Sequence, residues 1–306
     1  MADVGANVGA NERAIDWSGR TVETDELHIN YVRAGSGPAV VFLHGWPEFN
    51  RTWLHTLPAL AQKFDCVAPD LRGFGRTASK VPRTPDGTPL EKMARDVLDL
   101  ADRLCLDRFA IVSHDVGSFV AQRTALAAPD RVSALFFFNC AYPGIGKRWG
   151  EFSHFGETWY QQFHQKDFAA DLVGSSREAC RIYFRHFLTH WSHQKQAFDP
   201  YLDEWVDNFL RPGNLQGGFD WYIGIAKMRA RMMREGALPT PPITAPAYFY
   251  WGAHDPVLRY DFSDKLGDYF TSFTLEKAEA SGHFTHFEQP QLANERMLRF
   301  LGEYAK

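Results

Sequence analysis

RFAIVSHDVG, residues Arg108–Gly117, decides how this chain is read. The stretch Arg108–Ser113 is an apolar β-like run, and Val116–Ala127 has helical character, so a strand is predicted to turn directly into a helix. Ser113 and Gly117 flank the central Asp115 by two positions on each side. A sharp strand-to-helix elbow needs small residues there to avoid clashes, and it lifts the central side chain above the end of the sheet. In isolation an ordinary helix N-cap aspartate reads the same way, because Asp is favoured at that position. The surrounding segments separate the two readings.

Working outward, the N-terminal half alternates short β-like runs with helical patterns. Leu27–Arg33 reads as a strand and Gly35–Pro38 as a turn. AVVFL (Ala39–Leu43) is the continuous apolar run of a strand buried on both faces. A helix is expected over Trp53–Lys63 and a strand over Phe64–Ala68. Leu90–Leu104 carries apolar residues at helical spacing, and Val132–Phe138 is another strand. Repeated βα units of this kind predict a mostly parallel, doubly wound sheet, which takes its ligands at the carboxyl ends of the strands.

After Asn139 the rhythm changes. Tyr142–Leu238 contains no clear strand, yet it holds 19 of the chain's 45 aromatic residues. Four prolines (Pro239, Pro241, Pro242, Pro246) follow it. Strand patterns return at Ala247–Trp251 and Phe273–Glu276, and a helix is expected to start at Pro290. The predicted organisation is therefore an α/β core formed by residues 1–141 and 239–306. A helical cap, residues 142–238, is inserted into it as a lid over an apolar pocket.

Composition narrows the function classes. The 306 residues are 45% hydrophobic and 23% charged, which excludes intrinsic disorder. A net charge of −4, without runs of one sign, argues against nucleic-acid binding. No apolar stretch approaches a membrane span, and Met1–Arg20 has no apolar leader. The four separated cysteines (Cys66, Cys105, Cys140, Cys180) read as buried free thiols of a cytoplasmic protein.

Three further segments bear on Asp115. His44-Gly45-Trp46-Pro47 follows the AVVFL strand, where the backbone N–H of Trp46, together with that of Val116, would form a two-donor oxyanion hole. Asp255 follows the AYFYWG strand, in a Gly-Ala-His-Asp-Pro run that alone would read as a turn. His283 follows the last strand. Nucleophile, acid and histidine thus fall in the order of a hydrolase triad, each past the carboxyl end of a strand. Asp261 and Asp264 are assigned to the following helix or its approach, and Asp70–Gly75 reads as a structural turn.

At this point the chain resembles the α/β-hydrolase superfamily, specifically its epoxide hydrolase branch, over residues 25–304. HGWPE matches that branch's HGxP loop, and SHDVG matches its Asp-nucleophile elbow; no GxSxG occurs. The resemblance implies two lid tyrosines that activate the epoxide oxygen. These are Tyr160 in Trp-Tyr-Gln-Gln-Phe and Tyr222 in Asp-Trp-Tyr. It further implies a covalent ester on Asp115, hydrolysed by a water that His283 activates with Asp255 behind it. The expected partners are water and a small epoxide with apolar bulk, with no cofactor and no metal; the oligomeric state stays open between monomer and homodimer. Two alternatives accompany this reading. One is a haloacetate or haloalkane dehalogenase using the same aspartate, although Arg123, the first arginine after it, lies two helical turns away. The other is a non-catalytic ligand receptor of the same fold.

Overall fold

The structure, a computed structural model, describes residues 15–305; most of the segment read as leaderless, residues 1–14, lies outside the described residues. The core strands are β1 (Arg20–Glu23), β2 (Leu27–Ala34), β3 (Ala39–Leu43), β4 (Asp65–Pro69), β5 (Ala78–Ser79), β6 (Phe109–Asp115) and β7 (Val132–Cys140). The helices between them are α1 (Leu57–Leu60), α2 (Leu90–Arg103) and α3 (Val116–Ala127). Next come α4 (Phe155–Phe163), α5 (Ala169–Val173), α6 (Arg177–His190), α7 (Leu202–Phe209), α8 (Asn214–Gly224) and α9 (Ala226–Glu235). The chain closes with β8 (Ala247–Gly252), β9 (Phe273–Ala278), α10 (Thr285–Glu288) and α11 (Pro290–Tyr304).

The strands form one sheet in the order β1-β2-β4-β3-β6-β7-β8-β9, with β5 paired to β2. From β4 to β9 every pairing is parallel, whereas β1, β2 and β5 join antiparallel at one end. Alternate side chains of β3 enter two different cores: Val41 and Leu43 on one face, Val40 and Phe42 on the other. Burial on both faces is the physical reason for the unbroken AVVFL run. From β3 the chain crosses to β4 on one side, while from β6 it crosses to β7 on the other. That reversal opens a crevice at the carboxyl ends of β3 and β6, which is where sheets of this type bind ligands.

Helix α3 and strand β3 span the residues expected of them. Strands β2, β7, β8 and β9 extend the expected ones by one or two residues, β4 and β6 begin one residue later and end one or two later, and the short β1 and β5 were not expected. The helix expected over Trp53–Lys63 is broken into a 3-10 turn at Asn50–Trp53 and the single turn of α1. Pro58, in the first turn of α1, lacks an N–H and cannot lie inside a continuous helix, so the pattern is interrupted there. Cys66, Cys140 and Cys180 are buried free thiols, but Cys105 is exposed. It sits just past α2 with a φ of 55°, in the turn leading to β6 rather than in the core. Among the described residues no helix is long and apolar enough to cross a membrane.

The helical stretch from α4 to α9 lies against the carboxyl end of the sheet. Gly217 of α8 meets Gly73 so closely that a Cβ on Gly217 would lie 2.3 Å from the Gly73 carbonyl oxygen. Trp205 donates its indole N–H to the Pro47 carbonyl at 3.0 Å. Asp220 accepts a forked hydrogen bond from Arg83. These contacts fix the aromatic-rich helices above the crevice.

Candidate active site

Asp115 closes β6 and precedes α3 with φ 47° and ψ −112°. A non-glycine residue at positive φ costs on the order of 1–3 kcal/mol, which the surrounding packing must offset. Gly117 makes the elbow possible, since a Cβ there would lie 2.3 Å from the Leu43 carbonyl oxygen. Gly45 does the same for the facing loop: its Cβ would fall 2.6 Å from the Asp115 Cβ. With both glycines in place, the Trp46 N–H reaches Asp115 Oδ1 at 3.0 Å. Val116 is the first residue of α3, where backbone N–H groups have no intrahelical acceptor.

On the other side of the carboxylate stands His283, fully buried, with Nε2 at 3.9 Å from Asp115 Oδ2. Its Nδ1 lies 2.7 Å from Asp255 Oδ2. Asp255 is anchored in turn, its Oδ1 accepting the N–H groups of Val257 and Leu258 at 2.8 and 2.9 Å. Burial pulls the imidazole pKa down, but the charge and hydrogen bond of Asp255, with the charges of Asp115 and Glu48, outweigh it and bring it to about 9. Asp261 and Asp264 lie on the 3-10 segment Tyr260–Asp268 and pair with Arg259 and Arg148 at the surface.

The two tyrosines converge on the same pocket. Tyr160 stacks on Trp46 with ring centroids 5.0 Å apart, and Tyr222 meets Tyr160 edge-on at 5.4 Å. Both are buried and line one cavity with Asp115, Val116, Phe119, Trp149 and Arg229. The cavity holds about 370 Å3 of space between atoms, and little of that is wide enough for a water molecule to move in. Burial raises both phenols above the ordinary tyrosine pKa, and the Asp115 charge adds to the rise. They are therefore neutral hydrogen-bond donors, and weaker acids than a free phenol.

The histidines of the helical stretch from α4 to α9 do not line that cavity. His164 stacks on Phe219 and faces the Tyr183 hydroxyl at 2.6 Å, burial holding it well below the usual histidine pKa. His186 stacks on His190, which pairs with Glu157, and His193 stacks on His254.

Three features were not found in the sequence. Asn139, at positive φ after β7, donates to Asp255 Oδ2 at 2.6 Å and accepts from the Thr285 hydroxyl at 2.8 Å. It thereby fixes the Asp255 carboxylate beside His283. Next, Glu48, His114 and His286 meet in a fully buried cluster, their ligand-type atoms within 4.8 Å of one another. In sequence, the acidic residue lies 66 residues before His114 and 238 before His286, and only the fold brings the three together. The cluster's contacts are internal: Glu48 takes the Gly45 N–H and the Thr52 hydroxyl and meets both imidazoles, while His114 Nε2 lies 2.9 Å from the His283 carbonyl. Burial alone would raise the Glu48 carboxyl, but the two imidazoles hold it well below the usual range. Such a closed set braces the 44–48 loop, the elbow and the His283 loop together.

The third is Arg229. It falls seven residues after Tyr222 and four after Ile225, about two turns and one turn of helix, and all three line the cavity, with Ile225 between α8 and α9 in the αR region. That spacing is the signal that was available in the sequence.

A family model described as the alpha/beta hydrolase fold matches residues 38–290, and the chain belongs to that family. Its relatives place it within the epoxide hydrolase branch. It is 30% identical over 284 residues to a soluble epoxide hydrolase of Corynebacterium sp. (strain C12), covering 89% of this chain and 93% of that one. It is 26% identical over 298 residues to epoxide hydrolase 1 of Caenorhabditis elegans, covering 94% of this chain and 71% of that one. The solved structure of the epoxide hydrolase CorEH without ligand superposes with a TM-score of 0.81 at 28% identity, covering 93% of this chain and 98% of that one.

The geometry places Asp255, and neither Asp261 nor Asp264, against His283. Asp255→Asn is expected to lower the His283 pKa from about 9, because it removes the group that most raises it. Turnover should fall roughly 10³- to 10⁴-fold by analogy with triads whose acid is amidated. Asp261→Asn and Asp264→Asn should leave rates near wild type and stability within about 0.5 kcal/mol. Imidazole titration by NMR, with steady-state rates for the three variants, checks this; equal mild effects would assign the acid elsewhere.

Proposed function

We propose that the chain is an epoxide hydrolase that converts epoxides to vicinal diols through an ester on Asp115. The observation that carries this reading is the meeting of one carboxylate with two kinds of partner. Asp115 shares a cavity with two buried neutral phenols, and a histidine–carboxylate pair stands 3.9 Å from its other oxygen. An Asp115 oxygen bonds to an epoxide carbon as the carbon–oxygen bond of the ring breaks. The leaving oxygen takes a hydrogen bond and then a proton from Tyr160 or Tyr222. The result is an alkyl ester, which splits hydrolysis into two easier steps.

In the second step His283 takes a proton from water, and the water oxygen adds to the ester carbonyl of Asp115. The N–H groups of Trp46 and Val116 are assigned to the resulting oxyanion, each worth about 3 kcal/mol in comparable sites. Collapse of the tetrahedral intermediate breaks the bond between the acyl carbon and the alkyl oxygen, and that oxygen takes the proton from His283. The proton left on the new carboxyl returns to the deprotonated tyrosine, so that the diol leaves with the carboxylate, the imidazole and the phenol restored. Esterification removes one of the negative charges that raise His283, so the imidazole becomes easier to keep neutral when a base is needed. We assign residues 142–238 the role of a cap over the site. Its aromatic lining suits a substrate with an apolar portion, and the buried thiols suit a cytoplasmic setting.

A second reading is favoured by one observation. Arg229 gives the cavity a cation that the residues after Asp115 do not, since Arg123 pairs with Glu91 at the surface. Displacement of halide from a haloacetate by the same aspartate would use such a cation. A panel of terminal, aryl and meso epoxides, run beside fluoroacetate, decides between them. Diol release from epoxides without fluoride release from fluoroacetate is expected. Fluoride release with inert epoxides would favour the dehalogenase.

A further inference from the structure

Besides Asp115, Arg229 is the one charged residue that lines the cavity. Its residue is 8% exposed, it lines the cavity that holds Asp115, and among the described residues its side chain has no ion pair and no hydrogen bond. Its protein partner is the face of Trp149, with the guanidinium carbon 4.8 Å from the ring centroid. A buried cation without a counter-ion is costly, and a stacked ring offsets only a little of that cost. Two more buried nitrogens without an acceptor sit beside it. One is the indole N–H of Trp149, and the other is Nε2 of His154, whose ring centroid lies 6.1 Å from that of Trp149. Arg229 and Trp149 both line the cavity, and neither the Arg229 Nε nor the Trp149 indole N–H has a protein acceptor.

We infer that Arg229 docks a carboxylate carried by the substrate, so that the pocket is built for compact epoxides bearing an acid group. This rests on the epoxide-opening reading above and specifies its substrate class. The chemistry fits the residue: a guanidinium is planar, weakly hydrated and presents a donor fork matched to a carboxylate, and it remains charged at neutral pH. It reaches the cavity from the helix that follows Tyr222, so an acid held there keeps the rest of a short substrate beside Asp115 and the two phenols. The narrowness of the cavity favours small molecules over long acyl chains.

Glycidate and glycidamide test this, because they differ only in the charge of one group; 3-phenylglycidate and its amide form a larger matched pair. Wild-type kcat/KM is expected to favour the acid by about 10- to 100-fold. In Arg229→Gln that ratio should fall toward unity, whatever the common change in rate, and Arg229→Lys should recover part of it. Binding is read separately by calorimetry with cyclopropanecarboxylate, an unreactive carboxylate of similar shape, against its carboxamide. The acid should bind at least tenfold tighter to wild type, and the difference should vanish in Arg229→Gln. Epoxide turnover without any preference for acids, in wild type alone, overturns the inference and leaves the reaction intact. A preference that survives Arg229→Gln overturns it as well. Arg229-dependent binding of cyclopropanecarboxylate by an enzyme that opens neither epoxide would sustain the carboxylate site and sink the reaction.

Discussion

His283→Gln, mixed with a reactive epoxide, is expected to gain the mass of one substrate and keep it. Ring opening needs the Asp115 carboxylate and the phenols, none of which the substitution touches, whereas hydrolysis of the ester needs a base on the far side of that carboxylate. His283 Nε2 has no hydrogen-bond partner and lies 3.9 Å from Asp115 Oδ2, the position from which a water attacking the ester carbonyl would be deprotonated. The other nearby histidines are otherwise engaged. His286 is pulled down to about 4 by burial and faces Glu48 and Thr52, and His254 stacks on His193. Steady-state turnover should drop by about 10³-fold or more, as when a triad base is lost, while the first turnover proceeds. Mass spectrometry of the intact protein, then of its peptides, should place the adduct in the peptide containing Asp115. Rapid steady-state turnover in this variant would assign the base elsewhere.

The tyrosines should show the opposite pattern. Negative charge develops on the ring oxygen only during ring opening, so donors aimed at it act on the first step alone. Tyr160→Phe and Tyr222→Phe are each expected to slow alkylation about 10- to 100-fold in single-turnover experiments, and the double variant should be nearly inert. The two phenols are not redundant. Tyr160 stacks on Trp46 and accepts from Gln161 Nε2 at 3.0 Å, while Tyr222 stands edge-on to both rings. Once the ester has formed, its hydrolysis should run at wild-type speed in either single variant. Unchanged alkylation in both would remove the main support for the epoxide reading and favour halide displacement.

Much of this site was legible in the sequence because its signals are local. Ser113, Asp115 and Gly117 stand within five residues, and the strain of the elbow forces small residues at the flanks. Helix α3 could be bounded because the same elbow starts it. Asp255 and His283 were legible from their places just past strands, since a parallel sheet brings those ends to one edge. What the sequence withheld depends on distant partners. Asn139 matters because Asp255, 116 residues on, arrives beside it. Glu48 matters because His114 and His286 close around it. Read alone, each is a polar residue near a motif. Arg229 lay among other basic residues of α9; its spacing from Tyr222 and Ile225 was the one signal in the sequence, and the fold buries it while leaving Lys227, Arg231 and Arg234 exposed. The broken helix at Pro58 is a different failure, a periodic pattern that outlived its backbone hydrogen bonds.

The covalent ester is the centre of this account, and a single turnover in ¹⁸O-water tests it most directly. If the oxygen delivered to carbon comes from Asp115, the first diol released carries no label. The label instead enters the carboxylate, where the peptide containing Asp115 gains two mass units. Label in the first diol with an unlabelled Asp115 would mean that water attacks the epoxide directly, and it would contradict the account even in an enzyme that makes diols.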